Sequence, residues 1–194
     1  MYQAMLDHPD CPKTPFASVQ QCFSGGAAMS SKLKERFESA TGARVLEGYG
    51  LTETAGVTSV NPYVGETRAG TVGIALPATE IRIADPENVD TALPPGQTGE
   101  ICVRGPQVMA GYWRSEANAP EPLPGGWLRT GDLGFVEPGG YIRIVDRSKD
   151  MINVGGFKVF PSQVEAALLK HPAVKESLVI AVPDDRVGER PKAY

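Results

Sequence analysis

Glycine and proline interrupt this sequence so often that the chain can form only short helices and strands. Its 194 residues include 22 glycines and 17 prolines, most of them between short apolar runs. Proline lacks a backbone N–H and glycine favours turns, so both residue types end regular elements. The sequence therefore predicts many short elements, and it contains no internal repeat.

The first part of the chain alternates between strand and helix patterns. Residues 1–8 are typical of the end of a helix, residues 18–24 of a strand, and residues 30–42 of an amphipathic helix. A second strand is predicted at residues 44–47 and is expected to break at Gly48-Tyr49-Gly50. This order predicts an α/β layer with a parallel sheet.

The middle of the chain has a different pattern, in which apolar and polar residues alternate. Segments 79–85, 99–105 and 141–147 show this alternation and predict half-buried antiparallel strands. They indicate a small β unit that follows the α/β layer.

The end of the chain returns to a helix followed by a strand. Ser162 and Glu165 have the spacing of a capping box at a helix start. Residues 177–182 are apolar after Ser177 and predict a buried strand, which would begin a new α/β unit. The predicted domains are residues 1–75, 76–146 and 147–194.

Composition and charge exclude several classes of protein. Hydrophobic residues make up 41% of the chain, charged residues 22%, and the net charge is −4. No basic stripe indicates nucleic acid, and no apolar run is long enough for a transmembrane segment. The three cysteines have no metal-site spacing. We expect a cytoplasmic protein, and peripheral membrane contact is left open.

Two Gly-rich segments are candidate nucleotide contacts. Ser24-Gly25-Gly26-Ala27 leaves bare backbone at a strand end, where a flat ligand can approach, although a tight turn has the same pattern. In the segment 48–54, Tyr49 would present its ring to a base, Thr52 would bind phosphate, and Glu53 would bind Mg²⁺. A Gly-rich loop before a helix is the plainer interpretation of that segment.

Two further segments carry charged groups suited to a ribose. Asp132 follows a glycine turn and could accept both ribose hydroxyls, although an Asx turn has the same pattern. Arg147 lies in the charged run 146–150, which is also typical of a solvated linker, and could reach a ribose or phosphate. Gly155-Gly156, shortly after this run, would let the chain swing.

Taken together, these segments resemble the adenylate-forming superfamily of acyl-CoA synthetases, luciferases and peptide-synthetase adenylation domains. The resemblance rests on FSGGA, GYGLTET, GEICVRGPQVMAGYW, GWLRTGDLG and YIRIVDRSKDMINVGGFKVFPSQVE, and it covers essentially the whole chain. The sequences of these segments are most similar to those of bacterial medium- or long-chain fatty acyl-CoA ligases. Aryl-CoA ligases remain an alternative.

The resemblance implies a role for each matching residue. Those implied to bind nucleotide or CoA are Gly25, Gly26, Ala27, Gly48, Tyr49, Gly50, Thr52, Asp132, Arg147, Gly155, Gly156, Phe157 and Lys158. Thr52 and Glu53 are the implied catalytic residues, Glu53 is also the Mg²⁺ ligand, and Lys149 is the hinge. The implied fold is the C-terminal part of a large α/β domain with a small β-barrel-like subdomain, then the start of a small α+β domain.

The implied reaction joins a carboxylic acid, most readily a fatty acid, to CoA through an acyl-adenylate made from ATP. The cofactors are then ATP or AMP, Mg²⁺ and CoA. Two alternatives stay open: a non-catalytic nucleotide-binding remnant, and an adenylation enzyme that loads a carrier protein. The sequence does not indicate an oligomeric state.

Two motifs that the superfamily resemblance leads one to expect do not occur in the sequence. These are a Ser/Thr/Gly-rich phosphate loop ending in Pro-Lys-Gly, and a late Gly-Lys segment with the catalytic lysine. We therefore expect an internal fragment of a longer enzyme that does not catalyse adenylation by itself.

Overall fold

The computed structural model of the protein describes residues 1–113 and 125–194. Two units with their own internal contacts are present. The first comprises Met1–Ile81, Val103–Leu128 and Glu137–Arg143, and the second Arg82–Cys102, Arg129–Val136 and Ile144–Tyr194. Both units are therefore assembled from segments that are separated in the chain. The domain boundaries derived from the sequence stay a prediction.

Short elements run throughout the described residues, as the glycine and proline pattern predicts. The helices are α1 (Tyr2–Leu6), α2 (Ser31–Thr41) and α3 (Pro161–Leu168). The strands are β1 (Gln21–Ser24), β2 (Arg44–Leu51), β3 (Gly56–Val60), β4 (Ile74–Ala75), β5 (Glu80–Ala84), β6 (Gly99–Arg104), β7 (Leu128–Val136), β8 (Ile142–Arg147), β9 (Ile152–Val154), β10 (Phe157–Val159), β11 (Val179–Asp184) and β12 (Gly188–Ala193). Short 3-10 turns lie at Cys11–Lys13, Thr52–Thr54 and Ser148–Asp150.

The first unit contains a mixed sheet of order β1-β2-β3-β4. β1 and β2 are parallel and joined by α2, which confirms the predicted strand-helix-strand order. The Ser30 hydroxyl caps the start of α2, and Gly42 ends the helix in the left-handed conformation. Phe37 of α2 is buried, and so are the consecutive residues Val45 and Leu46 of β2, which face opposite sides of the sheet; each of these side chains is 1% exposed.

The predicted break at Gly48-Tyr49-Gly50 is wrong, because β2 continues through these residues to Leu51. They pair with β3, with a register shift between Tyr49 and Gly50. A methyl group on Gly50 would lie 1.8 Å from the carbonyl oxygen of Gly56. The glycine therefore serves a close approach of two strands and does not end the strand.

Most of the sheet of order β5-β6-β7-β8 lies in the second unit. In the described residues it is an open sheet with edge strands β5 and β8, and it does not close into a barrel. Gly99–Val103 are all buried, so the prediction of a half-buried strand is wrong for this central strand. The glycine turn predicted before Asp132 is a bend inside a strand, because Gly131 has a φ of +73° while both residues lie within β7.

The last sheet has the order β10-β9-β12-β11 and is antiparallel. The apolar segment at its end forms β11, an edge strand with mostly exposed or half-buried residues, so the predicted buried strand is wrong. The predicted capping box is wrong as well. Ser162 lies inside the first turn of α3, and its backbone N–H donates to Asp146 Oδ2 at 3.0 Å.

Candidate functional site

The two Gly-rich segments of the first unit lie side by side. β1 and β2 are parallel with Ser24 opposite Glu47, so the residues that follow each position are neighbours. A methyl group on Gly25 would lie 3.2 Å from the carbonyl oxygen of Gly48. Gly25, Gly26 and Ala27 are exposed. The structure therefore brings together an open stretch of backbone and the strand that carries Tyr49.

Tyr49 itself is 8% exposed. Little of its ring is open to solvent, in contrast to the expectation that its glycine neighbours would leave it free. Its backbone carbonyl accepts a hydrogen bond from the Thr58 hydroxyl at 3.0 Å, which fixes β2 against β3 at this position. Contact of the Tyr49 ring with a base stays a prediction.

Thr52 and Glu53 lie on the short 3-10 turn that follows β2. The hydroxyl of buried Thr54 closes this turn, because it accepts from the Leu51 N–H and lies 2.9 Å from the carbonyl oxygen of Gly56. Thr52 is exposed beside it. The turn thus presents a hydroxyl and a carboxylate from consecutive residues, and their contacts with a phosphate and a cation stay predictions.

Glu53 is held by a residue that the sequence did not indicate. The Tyr112 hydroxyl donates to Glu53 Oε1 at 2.6 Å, and the Met109 N–H donates to the Glu53 carbonyl oxygen at 2.8 Å. Two hydrogen bonds lower the pKa of Glu53. The bond from the Tyr112 hydroxyl has the larger effect, and the bond from the backbone N–H of Glu53 has the smaller one. Glu53 is therefore an oriented anion at neutral pH.

A single anionic carboxylate fits Mg²⁺. This ion keeps most of its water and phosphate ligands and takes only one or two protein carboxylates. Among residues 1–113 and 125–194, no group of three or more histidine, cysteine, aspartate or glutamate side chains could hold a metal ion. Binding of Mg²⁺ by Glu53 stays a prediction.

In the second unit, Asp132 and Arg147 lie together. Asp132 Oδ1 is 3.6 Å from Arg147 Nε, although the two residues come from β7 and the end of β8. The Asp132 side chain is 12% exposed and the Arg147 side chain 62%. The shielded Asp132 carboxylate can accept hydrogen bonds from hydroxyl groups, and the exposed Arg147 guanidinium beside it can contact a negative charge. This pair suits a ligand that carries hydroxyl groups and a negative charge.

The predicted hinge and the predicted CoA loop follow directly after Arg147. Lys149 is exposed on the 3-10 turn Ser148–Asp150, between β8 and β9. Gly155 and Gly156 form the two-residue turn of the β9-β10 hairpin, with φ angles of +57° and +92°. Two successive positive φ values match the hairpin turn that glycine favours. Phe157 is 77% exposed after this turn, and Lys158 is exposed too.

The structure therefore brings the predicted site residues together in two groups. Gly25, Gly48 and Glu53 belong to the first unit, and Asp132 and Arg147 to the second. Tyr112 is the residue that sequence reasoning missed. It lies 59 positions from Glu53, and no local pattern predicts a contact over that separation.

Comparison with protein families and known proteins gives consistent results. The sequence profile of the AMP-binding enzyme family matches residues 1–113, and the profile of the AMP-binding enzyme C-terminal domain matches residues 163–194. The long-chain-fatty-acid--CoA ligase of Bacillus subtilis is 40% identical over 194 residues. The 4-coumarate--CoA ligase-like 4 of Oryza sativa subsp. japonica is 41% identical over 194 residues, covering 98% of this chain and 35% of that protein.

Solved structures of related proteins agree with the fold. The crystal structure of ATP-bound MatB from Rhodopseudomonas palustris matches with a TM-score of 0.89 and 39% identity, over 99% of this chain and 38% of that chain. An anthranilate CoA ligase in complex with anthranoyl-AMP matches with a TM-score of 0.82 and 33% identity, over 99% and 37%. The match to the Bacillus subtilis ligase covers 100% of this chain and 34% of the ligase, so the chain spans about a third of the length of such curated relatives.

Proposed function

Because this chain belongs to the AMP-binding enzyme family, we propose that it carries the nucleoside-binding part of an ATP-dependent acyl-CoA ligase. The proposed substrates are a fatty acid, ATP and CoA. The fatty acid and the free CoA are supported by relatives named long-chain-fatty-acid--CoA ligase in Escherichia coli and Bacillus subtilis. No described helix is long and apolar enough to cross a membrane.

The proposed reaction has two steps. A carboxylate oxygen of the fatty acid attacks the α-phosphorus of ATP, the bond to the β-phosphate oxygen breaks, and pyrophosphate leaves. The CoA thiol then loses its proton and attacks the acyl carbonyl, and AMP leaves with the electron pair of the broken C–O bond. AMP is a better leaving group than the oxide that a free carboxylate would have to expel.

The residues of the first unit would hold the base and the phosphate. Gly25, Gly26 and Ala27 offer exposed backbone beside the strand of Tyr49, which suits a flat purine. Thr52 would donate to a phosphate oxygen, and Glu53 would hold Mg²⁺. When bound, this ion neutralises charge on the phosphates during transfer.

The residues of the second unit would hold the ribose and serve the thiol step. Asp132 would accept hydrogen bonds from the two ribose hydroxyls, and Arg147 would contact the ribose or a phosphate. Lys149 would be the hinge, since it lies on a short turn between two strands of different sheets. The exposed hairpin from Gly155 to Lys158 would lie near CoA, and domain rotation about such a hinge separates the two steps.

The observation that carries this proposal is the pairing of Asp132 and Arg147 at 3.6 Å. Two strands separated in the chain place a shielded carboxylate next to an exposed guanidinium. The plainer interpretations, an Asx turn and a solvated linker, do not account for this arrangement, because Asp132 lies within a strand and is largely buried.

Calorimetric titration of the chain with AMP tests the proposal. Asp132→Asn should weaken AMP binding about tenfold, since a charged acceptor of two hydrogen bonds becomes neutral and gains a donor. Asp184→Asn is the matched control, because Asp184 Oδ2 also lies 3.6 Å from an arginine Nε, that of Arg190. Equal effects of the two substitutions, or no AMP binding by the unsubstituted chain, would count against the proposal.

A further inference from the structure

Glu100 is a buried carboxylate in the central strand β6. Its side chain is 3% exposed, and the next two residues, Ile101 and Cys102, are 0% exposed. Burying an ionised carboxylate costs several kcal/mol unless charged or polar partners compensate for the lost water. A charge at this depth therefore requires an explanation, and the proposed ligand contacts do not include it.

The two oxygens of Glu100 bind different parts of β7. Oε2 accepts hydrogen bonds from Nε of Arg129, at 2.9 Å, and from Nη2 of the same guanidinium. Oε1 accepts from the backbone N–H of Gly131 at 3.2 Å. The carboxylate thus holds β7 on both sides of Thr130.

Thr130 adds a second connection between β6 and the same segment. Its hydroxyl donates to the carbonyl oxygen of Ile101 at 2.8 Å and accepts from the Asp132 N–H at 3.1 Å. Consecutive residues of β6 therefore fix the three residues that precede Asp132. Gly131 has a φ of +73°, so the strand is bent where it is held.

We propose that Glu100 is a positioning residue that fixes the backbone at Gly131 and thereby aims the Asp132 carboxylate at the ribose hydroxyls. This inference rests on the proposed function of Asp132. Glu100 does not contact the ligand itself. It acts through the bent segment 129–131, which carries Asp132 to its place beside Arg147.

Glutamine has nearly the same volume as glutamate but cannot replace it here. The amide has one acceptor oxygen and one donor nitrogen, whereas Glu100 accepts on both oxygens. In Glu100→Gln the amide nitrogen must face either Arg129 or the Gly131 N–H, and both are donors. The substitution therefore loosens the segment without opening a cavity.

The experiment has two parts. Amide hydrogen exchange at Gly131 and Asp132 is measured first, and we expect about tenfold faster exchange at Gly131 in Glu100→Gln. AMP and 2′,3′-dideoxy-AMP are then titrated into the same proteins. Glu100→Gln should weaken AMP binding about tenfold and leave 2′,3′-dideoxy-AMP binding at its unsubstituted value, because the lost contacts are those to the ribose hydroxyls.

Glu137→Gln is the matched control, because Glu137 also pairs with an arginine at 2.8 Å, and this arginine, Arg143, lies outside segment 129–132. It should change neither readout.

If Glu100→Gln does not fold, Thr130→Val, which removes the acceptor for the Asp132 N–H, should give the same ligand pattern. Unchanged exchange at Gly131, or equal weakening of both nucleotides, would overturn the inference. Failure of the unsubstituted chain to bind AMP would overturn the proposed function instead, and the exchange at Gly131 would still decide whether Glu100 positions this segment.

Discussion

The residue whose environment bears most directly on the proposed chemistry is Glu53. The sequence singles out this carboxylate because it follows a short Gly-rich motif, and its role as a Mg²⁺ ligand stays a prediction. It gave no sign of Tyr112, whose hydroxyl donates to Glu53 at 2.6 Å from 59 positions away. Contacts of this kind depend on how distant segments pack, and no local pattern encodes them. The contacts of Glu100 are equally hidden from the sequence, in which Glu100 is only a polar residue near the start of a predicted strand.

Tyr112→Phe should raise the pKa of Glu53 toward its ordinary value of about 4.3, since the lost hydrogen bond is the main cause of the lowered pKa. A lowered folded-state pKa stabilises the fold above the ordinary pKa, and this stabilisation disappears as the pH falls through the folded-state value. In Tyr112→Phe the free energy of unfolding should therefore change less as the pH falls through the acid range. A carboxyl NMR titration measures the pKa, with Tyr63→Phe as the control, and an unchanged Glu53 value in Tyr112→Phe would contradict the account.

At the scale of elements, the patterns predicted the three helices and six of the twelve strands among the described residues. Some of their ends and environments depend on tertiary contacts. The alternation in segments 79–85 and 141–147 correctly predicts β5 and β8. It does not show that β6 is buried on both faces, since this depends on the neighbouring strands. The Ser162 and Glu165 spacing suggested a local helix cap. The cap instead comes from Asp146, 16 positions earlier, while Glu165 accepts from the Val179 N–H at 2.8 Å.

Asp146→Ala should destabilise the start of α3 by about 1 kcal/mol, the usual effect of losing a helix cap. Hydrogen exchange at the Ser162 amide should then become about five times faster. Glu165→Ala provides the control, because it should accelerate exchange at the Val179 amide and leave Ser162 unchanged. If Glu165→Ala accelerates exchange at Ser162 as much as Asp146→Ala does, the local capping box is correct after all.

At the scale of the whole molecule, the described residues form two units from interleaved segments, whereas sequence reasoning divides a chain into consecutive domains. Gly25, Tyr49 and Glu53 lie in one unit, and Asp132 and Arg147 in the other. The motifs predict the members of both groups because each motif is short and local, and contact of these residues with a nucleotide stays a prediction. The pairing of Asp132 with Arg147 could not be derived in the same way, since it depends on the order of β7 and β8 in a sheet.

We propose that these 194 residues form the nucleoside-binding part of a fatty acyl-CoA ligase. The decisive experiment substitutes them for the matching third of the Bacillus subtilis long-chain-fatty-acid--CoA ligase, to which the chain is 40% identical over its full length. We expect the purified chimera to release pyrophosphate and form fatty acyl-CoA from fatty acid, ATP and CoA, and Asp132→Asn to lower kcat/KM about tenfold or more. A folded chimera that forms neither acyl-adenylate nor thioester would show that this part of the chain does not serve that function.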